Sequence, residues 1–69
     1  MTGSGTKRKM LACDCCGAYT IAARGAYEIC RRCGWEDDPV QAKDADFTGG
    51  ANAMSLNQAR AAWRAKTGE

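Results

Sequence analysis

No histidine occurs in this chain, which removes the commonest metal ligand and the commonest general base together. Aromatic residues are scarce as well: two tryptophans, two tyrosines and one phenylalanine make up 7% of 69 residues. A core built from so few large side chains rarely supplies more than ~3–5 kcal/mol at this size, so a staple of another kind is required. No run of 18 apolar residues exists, which excludes a membrane-spanning helix. Charge is nearly balanced, with a formal +2 that counts every thiol as neutral. Four thiolates around one Zn²⁺ would remove two of those charges and leave the loaded protein near zero. Whole-molecule attraction to nucleic acid is weak on that ground.

What the chain does have is cysteine, five of them. Four stand in a repeated frame: Cys13-Asp14-Cys15-Cys16-Gly17, twelve residues without cysteine, then Cys30-Arg31-Arg32-Cys33-Gly34. Written as C-x2-C-G twice, this spacing supplies two turns that each present a pair of sulfurs, the arrangement a tetrahedral ion needs. The glycine after each pair lets the chain leave the turn by a conformation costly for residues with a Cβ. The odd count and the lack of a secretory-type opening stretch favour a metal over a disulfide framework, in a reducing, cytoplasmic setting. One zinc ion per chain, held by Cys13, Cys16, Cys30 and Cys33, is the expectation, with iron in the same sulfur geometry as the alternative. Cys15 lies inside the first turn and reads as a structural bystander.

Residues 1–10, polar and glycine-rich around Lys7-Arg8-Lys9, read as a disordered basic arm preceding one domain over 11–69. Between the cysteine pairs, Tyr19, Ile21, Tyr27 and Ile29 alternate with polar residues. A three-residue loop from Ala23 to Gly25 would set Ile21 opposite Tyr27 and Tyr19 opposite Ile29, making a hairpin that returns Cys30 beside Cys16. Pro39 and the glycines after it read as a loop. Glu36, Asp37 and Asp38 read as a solvated acidic turn, or more sharply as a polar contact to a basic partner. Asp44 to Gly49 opens like a calcium loop, but the position that needs glutamate holds Ser55, so calcium is excluded. Ser55-Leu56-Asn57-Gln58 is a capping box that starts a helix, with Leu56, Ala59, Ala62 and Trp63 as its apolar stripe and Gly68 to end it. Trp63 is expected to pack this helix on the hairpin face, which completes a small metal-stabilised α+β fold.

The cysteine frame, Trp35-Glu36-Asp37-Asp38, Gly49-Gly50-Ala51-Asn52, Ser55-Leu56 and Ala59-Arg60, taken in order over about 12–68, resemble the bacterial cysteine-rich CPCC domain. The chain departs at Asp14, where the family name implies proline. The resemblance implies a zinc-ribbon-like fold and a metal site more firmly than an activity, and it carries an association with immunity partners of toxins.

Catalysis is not expected, because a closed four-thiolate site leaves zinc no position for water or substrate. The expected role is a monomeric protein-binding module, such as an immunity-type inhibitor of a toxin, with Trp35, Glu36, Asp37, Asp38, Arg60 and Arg64 as contacts. The alternative is a nucleic-acid-binding ribbon using Arg31, Arg32, Arg60 and Arg64, although no aromatic residues interleave with those arginines.

Overall fold

The computed structural model describes residues 9–68. Two short strands, β1 (Leu11–Ala12) and β2 (Tyr19–Ile21), pair antiparallel, and two helices follow, α1 (Pro39–Lys43) and α2 (Leu56–Thr67). The expected basic arm lies, over its first eight residues, outside the described residues.

The pairing takes a different route from the hairpin expected between the cysteine pairs. Each C-x2-C-G turn is itself the tip of a small hairpin whose arms pair with one another. In the first, β1 and β2 flank the turn, Cys13 N–H donates to the Ala18 carbonyl (2.8 Å), and Gly17 N–H donates to the Cys13 carbonyl (2.9 Å). The second repeats the pattern: Ile29 bridges Glu36, Cys30 N–H donates to the Trp35 carbonyl (2.8 Å), and Gly34 N–H donates to the Cys30 carbonyl (2.8 Å). Gly17 and Gly34 leave their turns at φ +83° and +86°, the left-handed region that glycine enters without strain.

The alternation of Tyr19 and Ile21 misleads for a physical reason. The β1–β2 register slips between Leu11, opposite Ile21, and Ala12, opposite Tyr19, so Thr20 has no partner across the pair. An extra residue of this kind breaks the two-residue period, and side chains on either side of it face different ways. Ile21 is fully buried while Tyr19 is 72% exposed. Tyr27 and Ile29 are exposed as well, so the apolar face expected of them does not form. The segment between β2 and the second turn is held instead by Glu28, whose carboxylate accepts from the Ala22 and Ala23 N–H groups at 2.8 Å each.

Pro39 begins a helix, where the sequence suggested a loop. Proline suits the first helical position, since its missing N–H would have had no partner there. Asp38 caps that helix, accepting from Val40 N–H (2.8 Å) and Gln41 N–H (3.4 Å). The capping box of α2 forms as expected, with Gln58 N–H on Ser55 Oγ (3.1 Å) and Ser55 N–H on Gln58 Oε1 (2.9 Å); Gly68 closes the other end in the left-handed conformation.

The core consists of Cys13, Ile21, Cys30, Trp35 and Leu56, with Ala59 packed against it. Trp63 stands outside it, contrary to the expectation for the α2 stripe; Trp35 is the tryptophan that fills the centre. The acidic turn is corrected too. Asp37 and Asp38 are buried, where the sequence suggested solvent.

Candidate metal centre

The two hairpin tips face one another. The sulfurs of Cys13, Cys16, Cys30 and Cys33 all lie within 4.8 Å of one another, with Cys13 and Cys33 in closest approach at 3.6 Å and Cys16 and Cys30 at 3.7 Å. These contacts cross between the tips, so neither tip alone makes the site. All five cysteines are free. A disulfide needs about 2.05 Å between sulfurs, and these pairs are far beyond it.

The environment treats the four thiols unequally. Burial pushes Cys13 and Cys33 up to about 12. Cys30 is also opposed by burial, but the Thr20 hydroxyl (3.0 Å), the backbone N–H groups of Cys33 and Arg32, and the Cys16 thiol more than offset that, lowering it to about 6. Thr20 is the residue left unpaired by the slip in register, so the irregularity in β2 goes with a hydrogen bond to a candidate ligand. Hydrogen bonds of this sort orient a ligand and stabilise its thiolate.

Two braces fix the tips to the rest of the chain. Arg24 donates to Asp37 Oδ1 (2.9 Å) and to the Ala12 carbonyl (2.6 Å) and lies 3.4 Å from Asp14 Oδ1. Asp37 Oδ2 takes Gly25 N–H at 2.6 Å. Asp14, standing where the family name implies proline, thus joins the first tip to the strand leading out of the second. Arg60 reaches from α2, donating from Nε to the Asp14 carbonyl at 2.8 Å.

A second network lies behind the other tip. Gln41 is fully buried; its Nε2 is within 2.9–3.1 Å of the Phe47, Asn52 and Met54 carbonyls, and its Oε1 accepts from Asn52 N–H (3.0 Å) and Nδ2 (2.9 Å). Asn52 in turn pairs with Glu36 as a strand would, taking Glu36 N–H and giving Nδ2–H to its carbonyl, both at 2.9 Å. Gly50 passes so close that a Cβ there would meet Asp38 Oδ2 at 2.6 Å and Gln41 Cδ at 2.9 Å.

The structure therefore brings together all four cysteines singled out by spacing, and separates the residues expected to meet a partner. Trp35, Asp37 and Asp38 are interior, while Glu36 is half-buried and its backbone is engaged by Asn52. Arg60 is a brace, and Arg64 is exposed. Cys15 is half-buried beside Cys33, and burial raises its thiol. Gln41 and Arg24 were not singled out from the sequence, and Asn52 entered only within Gly49-Gly50-Ala51-Asn52, with no role of its own. The Asp38-Pro39 step and Gly50 were the signals available, one for a helix start and one for a close approach.

Two paired cysteine turns closing one four-sulfur cluster define a small α+β domain with the donor set of a metal-binding protein. The chain belongs to the Cysteine-rich CPCC family, whose sequence profile matches residues 11–68. No curated protein matches it. Among the described residues, no helix is long and apolar enough to cross a membrane.

Proposed function

We propose that Cys13, Cys16, Cys30 and Cys33 hold one structural Zn²⁺, and that the stapled domain acts without catalysis as a module that binds a protein partner. The observation that carries the metal reading is the sulfur spacing. Zinc–sulfur bonds of about 2.3 Å in a tetrahedron place neighbouring sulfurs about 3.8 Å apart. The two closest pairs, at 3.6 and 3.7 Å, stand near that edge length before any ion draws them in. Four ligands close the coordination sphere, so the ion's contribution is folding free energy, with no site for activating water. The partner reading is supported by a small scaffold whose last helix, α2, carries Arg60, Arg64 and Lys66 and no carboxylate; an inhibitor of a toxin is one concrete form of it.

Native mass spectrometry of the purified chain and its variants tests the metal. One zinc per chain is expected, lost in Cys16→Ser and kept in Cys15→Ser; the reverse pattern overturns the ligand set. A salt titration against mixed DNA and RNA tests the partner class. Nucleic-acid binding would weaken by roughly 0.9 log units per log unit of salt for each phosphate neutralised on duplex DNA. Sub-micromolar binding at physiological salt with a slope of several phosphates would replace the protein-partner reading.

A further inference from the structure

Thr20 stands between the two cysteine turns. It belongs to β2, in the hairpin whose tip carries Cys13 and Cys16, and its hydroxyl meets Cys30 Sγ of the other turn at 3.0 Å. The slip in register leaves it free to do so: Leu11 pairs with Ile21 and Ala12 with Tyr19, and Thr20 between them has no residue opposite.

The direction of the hydroxyl proton is decided by the acceptors within reach. The Ala18 carbonyl is 3.5 Å from Thr20 Oγ1, at the limit of a hydrogen bond. That oxygen already accepts Cys13 N–H at 2.8 Å and Thr20 N–H at 2.9 Å, which uses both of its lone pairs. Cys30 Sγ is nearer, and as a thiolate it only accepts. The hydroxyl therefore donates to the sulfur whenever Cys30 is a ligand. Arg32 N–H is a second, longer donor to the same sulfur at 3.4 Å. That one is backbone of Cys30's own turn and comes with the turn, whereas the hydroxyl depends on one side chain in the other hairpin.

We propose that Thr20 is a positioning residue for the metal centre: its hydroxyl ties the Cys30 thiolate of the second turn to the first hairpin and so sets how firmly the site retains its ion. The proposal rests on the reading of the four cysteines as a zinc site. Two effects combine. Before loading, the bond restrains Cys30 close to Cys16, 3.7 Å between sulfurs, so less freedom is lost when four sulfurs close on one ion. After loading, four thiolates on one divalent ion carry excess negative charge, and a hydroxyl donor to a thiolate is a strong, charge-assisted hydrogen bond. Cys30 is 1% exposed, so no water takes the hydroxyl's place once it is removed.

Thr20→Val and Thr20→Ser separate the hydroxyl from the shape. Valine keeps the branched outline without a donor, and serine keeps the donor without the methyl. Zinc affinity is measured by competition with a chromophoric chelator, and the sulfur-to-metal charge-transfer band is recorded on the cobalt(II)-loaded chain, with far-ultraviolet circular dichroism for every sample. A thiolate that loses a donor gives up an electron more easily, which moves that band to longer wavelength. Thr20→Val should keep one metal per chain and the wild-type dichroism, bind zinc roughly 10- to 100-fold more weakly and show the shifted band. Thr20→Ser should return both readings toward wild type. Wild-type affinity and band position in Thr20→Val overturn the proposal. So does a Thr20→Ser chain that departs as far as Thr20→Val, because that pattern belongs to packing. Should valine disturb the fold, Thr20→Ala takes its place with the same two outcomes. A wild-type chain that takes up neither zinc nor cobalt overturns the metal reading and the proposal together, whereas indifferent variants of a loaded chain overturn the proposal alone.

Discussion

Replacing Gln41 by leucine probes the part of the fold that its backbone order least suggests. The side chain is fully buried; its two Nε2 protons are shared among three carbonyls and its Oε1 accepts two N–H groups. At about 1 kcal/mol net for each of these four protons, removing all of them would cost about 4 kcal/mol. Phe47 and Met54 are partly exposed, so their carbonyls can turn to water and recover about 1 kcal/mol of that. A loss of about 3 kcal/mol remains, a large fraction of what a domain of this size possesses. Urea unfolding followed by far-ultraviolet circular dichroism at fixed free zinc reads it directly. With a slope of about 1 kcal/mol per molar, the midpoint should fall by about 3 M. Gln41→Glu is nearly isosteric but presents an oxygen to three carbonyls in place of a donor, so it should be at least as damaging. A loss under about 1 kcal/mol in both variants would refute the reasoning, because it would mean that Asn52 and the loop beyond α1 hold their places unaided.

Zinc affinity should rise at least a hundredfold per pH unit between pH 6.5 and 8, since the metal-free Cys13 and Cys33 thiols, raised to about 12, must each release a proton on binding. Competition with a chromophoric chelator across that range measures it, and a tenfold slope or less would count against the assignment. In the metal-free chain the sign is opposite: burial of these two neutral thiols stabilises the fold below their ordinary value of 9.0 and is lost as pH climbs toward about 12. Trp35→Ala should cost ~3 kcal/mol or more and Trp63→Ala ~1 kcal/mol, because only the first is in the core; equal losses by denaturant titration would contradict that division. Asp38 accepts the Ala51 N–H foremost, and those of Val40 and Gln41, so its carboxyl is held below the ordinary 3.8. Its contribution is present above that value and disappears as pH falls through the lowered one. Asp38→Asn should therefore be less stable than wild type at neutral pH and lose that difference in strong acid, in a titration followed by amide hydrogen exchange at α1.

The cysteine cluster was legible in the sequence because four identical donors at a repeated spacing admit few arrangements, and the α2 boundaries were legible because Ser55, Gln58 and Gly68 act locally on the backbone beside them. The hairpin was not. Its reading relied on a strict two-residue period, and one unpaired residue, Thr20, reverses the faces while leaving the composition of β2 untouched. The burial of Asp37, Asp38 and Gln41 was equally hidden. A polar side chain is stable inside a protein only when partners satisfy it, and here those partners, Arg24, Gly25, Ala51 and Asn52, are 11 to 13 positions away in the chain. Composition alone assigns such residues to the surface, and Trp63 to the interior in place of Trp35.

Both polar networks lead to the segment that follows the second cysteine turn. Arg24 and Gly25 hold the Asp37 carboxylate, and Asn52 holds the Glu36 backbone, so the two residues directly after Trp35 are both fixed. Trp35 then closes the core over Cys13 and Cys30, which are at once core residues and candidate ligands. In most domains a metal site and a hydrophobic core can be weakened separately. Here two of the five core side chains are the sulfurs themselves, so removing the ion would leave thiolate repulsion or bulkier protonated thiols at the centre of the packing.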